Sequence, residues 1–115
     1  ISPETAHTLT EMLVQAVEEG IKLAKVDGCR VAGKTGTAQI PIPGGYDPDA
    51  TIATFVGYGP VPDPELVVLV KLDRPQSSQW ASMTAAPTFQ QLMSRLFTAL
   101  AIPPEGDRLV AEVQP

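Results

Sequence analysis

The residues that follow Lys34-Thr35 rule out a helix there. Gly36 comes at once, and Pro41, Pro43, Gly44 and Gly45 come soon after. Glycine costs about 1 kcal/mol and proline about 3 kcal/mol in a helix interior. No helix of useful length can therefore begin at this lysine. This bears on function, because Gly28-Cys29-Arg30-Val31-Ala32-Gly33-Lys34-Thr35 satisfies the phosphate-loop pattern G-x-x-x-x-G-K-[ST] residue for residue. Val67 to Asp73 even resembles the apolar strand ending in an acid that would hold magnesium. A phosphate loop works because its amides sit at a helix N-terminus, with the dipole aimed at the phosphates. Here that helix is forbidden, and the chain lacks alternating βα units. A phosphate-loop nucleotide-binding protein is thus an alternative whose structural context fails.

Residues 30–40 are short of large side chains and rich in Val, Thr and small residues. They read as a strand. Pro41, Pro43, Gly44 and Gly45 then break regular structure, and Tyr46, Asp47 and Asp49 read as turn residues continuing that loop. Residues 51–58 form a β-branched and aromatic strand. Residues 59–64 carry three prolines and make a turn. Residues 65–72 are a nearly continuous apolar run, expected to be a strand buried on both faces. Short links between strands favour an antiparallel meander over parallel crossovers.

Helices flank these strands. Ser2 suits an N-cap and Pro3 the first helical position. Leu9, Met12, Leu13, Ala16 and Val17 then fall at helical spacing, with Gly20 as the C′ residue, so a helix is expected over residues 3–19. Residues 21–27 read as a short strand or an extended approach. A second stripe is Phe89, Leu92, Met93, Leu96, Phe97 and Leu100. Pro87 lies near its first turn and Pro103-Pro104 stops it. The expected fold class is α+β: an N-terminal helix, a three-stranded antiparallel meander and a C-terminal helix.

Charge and composition exclude several functions. The net charge is −5 and no Lys/Arg cluster exists, so nucleic acid or an anionic membrane surface has no electrostatic partner here. Cys29 and His7 are each the sole residue of their kind. No internal disulfide and no His/Cys zinc site can form, and no cofactor is called for. Cys29 reads as a small buried apolar residue, His7 as a surface helix residue and Trp80 as a packing anchor.

The longer run Lys34-Thr35-Gly36-Thr37-Ala38-Gln39 resembles the third conserved box of penicillin-binding proteins and serine β-lactamases. Thr54-Phe55-Val56-Gly57-Tyr58-Gly59-Pro60 resembles the strand that follows it in that family. Ala85-Ala86-Pro87-Thr88-Phe89 resembles the start of the C-terminal helix, and Ile102-Pro103-Pro104 its exit. The order looks most like the class B, single-function transpeptidases, with Trp80-Ala81-Ser82 departing from a Tyr-Gly-Gly-like run.

The resemblance implies serine acyl transfer on peptidoglycan stem peptides ending in D-Ala-D-Ala, with β-lactams acylating the same serine. It implies that Lys34 supplies positive charge near the substrate carboxylate and that the Thr35 and Thr37 hydroxyls donate to that carboxylate. The Thr37 N–H would be half of the oxyanion hole. Gly36 would let the backbone lie flush against substrate, and Gln39 would contact it. The strand edge would pair with the extended peptide.

Two boxes of the family are missing. No serine here has Lys three residues later, and the chain contains no asparagine. The nucleophile is therefore expected on an upstream part of a longer protein. A membrane anchor is expected there too, placing the domain on the extracytoplasmic face. Residues 1–104 are expected to be the sheet part of the domain. Residues 105–115 are expected to be a tail, with a short extended piece at 109–113. The face that meets the missing helical half is expected to be partly apolar and to promote self-association. A non-catalytic β-lactam sensor of the same fold is the remaining alternative.

Overall fold

Ser2 begins the first helix as its chemistry suggests. Its backbone is extended and its Oγ accepts the Thr5 N–H at 3.1 Å. In the computed structural model, which describes residues 1–104, helix α1 spans Pro3–Gln15. The expected tail lies outside the described residues. Residues 16–19 were expected to continue the helix, but the chain widens into one π turn over Ala16–Gly20. The Ile21 N–H takes the Ala16 carbonyl at 2.9 Å, so Gly20 needs no left-handed C′ conformation to satisfy it. A 3₁₀ turn, Lys22–Ala24, follows in place of the strand considered for residues 21–27.

Three strands form one antiparallel sheet in the order β1-β2-β3: Ala32–Ile42, Gly45–Gly59 and Leu66–Asp73. The meander is as expected, but its first hairpin is longer. Residues 41–49 were expected to be loop. Instead Pro41 pairs with Tyr46 and Ile42 with Gly45, beyond a register irregularity between Gln39 and Pro41. Two physical facts explain this. β1 is an edge strand, where a missing N–H can face solvent without breaking the ladder. Pro43-Gly44 then turns the chain, with Gly44 at φ +85, a conformation that suits the Pro-Gly centre of a type II turn. Tyr46, Asp47 and Asp49 therefore belong to β2 rather than to a turn.

Helix α2, Ala85–Ala99, packs across one face of the sheet. Pro87 lies in its first turn, where proline is tolerated. Ala85, Ala86, Phe89, Met93 and Phe97 are its buried residues; Leu92 and Leu100 of the expected stripe are exposed. The Phe89 and Phe55 rings lie 4.6 Å apart between centroids, tilted by 43°. Gly57 makes room for them: a Cβ there would fall 2.5 Å from Phe89 Cζ. Cys29 is buried beneath the helix exit, its Sγ 3.8 Å from the Pro103 carbonyl.

The opposite face is only partly covered. Helix α1 lies over one end of it, where Val14, Ala32 and Val61 cluster with Leu13 and Tyr58. Thr10 Oγ1 and Tyr58 Oη share a hydrogen bond of 2.8 Å. Because only this end is covered, Leu9 and Met12 of the expected stripe remain exposed. The same reason corrects the reading of β3. Leu66, Val68, Val70 and Leu72 pack toward α2. Val67 and Leu69 point the other way and are 74% and 64% exposed. The apolar run is buried on one face here, not two.

Candidate functional site

The run Lys34–Gln39 lies in the middle of β1, at the free edge of the sheet. Among the described residues no strand pairs with β1 on the side away from β2, so alternate N–H and C=O groups there are open to an added strand. Nothing resembling a phosphate loop forms. Gly28 turns at φ +80, and Lys34-Thr35 lie inside a strand rather than at a helix N-terminus. The nucleotide-binding alternative fails on this geometry.

Side chains alternate along a strand, which splits the candidate residues into two sets. The register sets Lys34 beside Val56 and Leu69, and Gly36 beside Thr54 and Lys71, on the open face. Thr35, Thr37 and Gln39 share the other face with Phe55, Ala53 and Thr51. The structure thus brings all the candidates to one edge but not to one face. A ligand seated on the edge would meet lysine from one side and threonine hydroxyls from the other.

Lys34 is exposed and its Nζ donates to the Thr35 carbonyl at 2.8 Å. Gly36 has a reason for being glycine within the chain itself. A Cβ there would sit 2.5 Å from Thr54 Oγ1, and that hydroxyl donates to the Gly36 carbonyl at 3.2 Å. Gly33 is tighter still, with Phe55 Cζ at 2.4 Å from a hypothetical Cβ. Small residues along β1 therefore serve the packing of β2.

One neighbour of the site was not foreseen. The connection from β3 to α2 wraps past the strand edge, and the Ala81 N–H donates to Thr37 Oγ1 at 3.3 Å. Ala81 opens a 3₁₀ turn, Ala81–Met83, and its own methyl is buried. Trp80, just before it, is 65% exposed, so it is not the packing anchor its size suggests. No local pattern in the sequence signals the contact between Ala81 and Thr37, which lie far apart along the chain. Among the described residues no three His, Cys, Asp or Glu side chains gather to hold a metal ion.

Residues 1–94 match the family model described as the penicillin binding protein transpeptidase domain. The chain belongs to that family. Among curated proteins, it is 38% identical over 109 residues to the probable peptidoglycan D,D-transpeptidase PbpC of Pseudomonas aeruginosa, covering 92% of this chain and 19% of that one. It is 36% identical over 116 residues to the stage V sporulation protein D of Bacillus subtilis, covering 99% and 18%. The chain thus spans about a fifth of the length of these relatives.

Solved structures agree. The transpeptidase domain of Burkholderia pseudomallei penicillin-binding protein 3 matches with a TM-score of 0.83 and 35% identity, over 91% of this chain and 33% of that one. Penicillin-binding protein 3 of Mycobacterium tuberculosis, in complex with ampicillin, matches with a TM-score of 0.78 and 33% identity, over 90% and 26%. The chain is therefore part of a penicillin-binding transpeptidase domain, with the α+β fold expected of it. The relatives named as transpeptidases lend no support to a nucleotide-binding or sensor reading.

Proposed function

We propose that β1 is the substrate-binding strand of a class B peptidoglycan D,D-transpeptidase. In that protein a serine from elsewhere in the chain attacks the penultimate carbonyl of a D-Ala-D-Ala stem peptide. D-Ala leaves, and an amine of a neighbouring stem peptide takes the acyl group. The observation that supports this reading most is the placing of Lys34–Gln39 on a free sheet edge within a chain of this family.

The roles follow from position. An extended peptide adds to the edge of β1 by backbone pairing. Lys34 brings positive charge from the open face. Thr35 and Thr37 offer hydroxyl donors to the terminal carboxylate from the other face. The Thr37 N–H serves as one oxyanion donor, a contribution worth about 10²–10³ in rate where such a donor has been removed. Gln39 extends the contact along the strand. β-Lactams with a carboxylate occupy the same groups. Lys34 and Thr37 carry the catalytic role, and Thr35, Gly36, Thr37 and Gln39 the binding role. The protein works on the extracytoplasmic face of the membrane, held by an anchor outside this segment.

The isolated chain behaves differently from the whole protein in this reading. It contains no Ser-x-x-Lys sequence. A fluorescent penicillin should leave it unlabelled on a denaturing gel, while the whole protein is labelled. A labelled band from the isolated chain would contradict the placing of the nucleophile elsewhere.

A further inference from the structure

The Thr37 hydroxyl has a neighbour whose chemistry restricts what it can do. A threonine hydroxyl holds one proton and two lone pairs. Alone, such a hydroxyl is free to rotate and can accept or donate in any direction open to it. A backbone N–H can only donate. The Ala81 N–H, 3.3 Å from Thr37 Oγ1, therefore occupies a lone pair and leaves the hydroxyl proton for another acceptor. No acceptor for that proton is found among the described residues. Thr37 itself is exposed at the edge, so the free proton is available to a ligand there.

The donor is held firmly. Thr51 Oγ1 donates to the Gln79 carbonyl at 2.7 Å, which ties the connection to β2. The Met83 N–H and Thr84 Oγ1 both donate to the Trp80 carbonyl, at 3.0 and 2.9 Å, closing the turn around Ala81. The Ala81 methyl is packed in the main core with Phe89 and Met93. A hydrogen bond from so restrained an amide also selects one χ1 rotamer of a β-branched side chain that has few to choose from.

We propose that the Ala81 N–H positions the Thr37 hydroxyl so that its proton points to the substrate carboxylate. Ala81 is a positioning residue: it acts through Thr37 and does not touch substrate. The inference rests on the transpeptidase reading given above.

The test uses the whole protein and a thioester substrate offered as the free acid and as its methyl ester. Ala81→Pro removes the N–H. The extended backbone of Trp80, at φ −88 and ψ 128, is compatible with a following proline. For the acid, kcat/KM should fall roughly five- to tenfold, the scale of one neutral hydrogen bond. For the ester it should change little. Ala81→Pro combined with Thr37→Val should be no worse than Thr37→Val alone. An equal loss on acid and ester, or additive losses in the double variant, would overturn the proposal. If Ala81→Pro does not fold, lactic acid incorporated at position 81 removes the same N–H with no ring, and the same outcomes apply. Failure of the underlying reading looks different, because the wild-type protein would then treat acid and ester alike.

Discussion

At the scale of single residues, the candidate site presents two sets of side chains joined by one strand backbone. Strand alternation sends Lys34 to the open face and Thr35, Thr37 and Gln39 to the face of α2. Much of this was legible, because Lys34-Thr35-Gly36-Thr37-Ala38-Gln39 is a specific run and the glycines and prolines after it exclude a helix. Two things were not. The tie from Ala81 to Thr37 links residues 44 apart in sequence, and no local pattern signals such a contact. The exposure of Trp80 also runs against the usual behaviour of a large aromatic. Gly36 gains a second reason, since Thr54 occupies the space a side chain would need. Gly36→Ala should therefore lower the thermal stability of the whole protein as well as its acylation rate. The decrease in stability should be smaller in a Thr54→Ala background, which lacks the Oγ1 that the added methyl would meet. Calorimetry and a penicillin-binding assay on the same samples separate the two effects.

At the scale of elements, packing between α2 and β2 sets the position of the edge strand. Gly57 lets the Phe89 ring lie against the sheet, with the Ala32 carbonyl also within 2.9 Å of a hypothetical Cβ. Gly57→Ala should destabilise the whole protein by roughly 1–3 kcal/mol, the usual cost of overpacking. Replacing Phe89 by Leu in the same protein should recover part of it, as read by chemical denaturation. A Gly57→Ala protein as stable as the wild type would refute the contact. The order of helices and strands was readable from Pro, Gly and β-branched residues. The long first hairpin was not, because Pro41 and Pro43-Gly44-Gly45 look like breakers. On an edge strand that needs few N–H groups, and at a Pro-Gly turn, the same residues are compatible with pairing. The end of α1 was also misjudged, since a π turn satisfies the carbonyl that a left-handed glycine would have served.

At the scale of the whole molecule, the open face of the sheet is the main unsettled surface in the isolated chain. Val67 and Leu69 of β3 stand on it, with Val56 beside Lys34. Their apolar run was read as buried on two faces, and one of those faces is uncovered here. Exposed apolar groups of this kind favour association. The isolated chain should therefore self-associate in sedimentation experiments at high concentration. Val67→Lys with Leu69→Lys should shift it toward monomer, and a wild-type chain that stays monomeric would contradict the expectation.

In the proposed function, Lys34 and its strand bind the acylating ligand of a penicillin-binding transpeptidase. The most direct measurement is the second-order rate of acylation of the whole protein by a fluorescent penicillin, for wild type and Lys34→Ala. The wild type should be labelled, and Lys34→Ala should be slower by about 10²-fold or more, as expected for losing a charged partner in a preorganised site. Equal rates for the two proteins, both shown to be folded, would contradict the account.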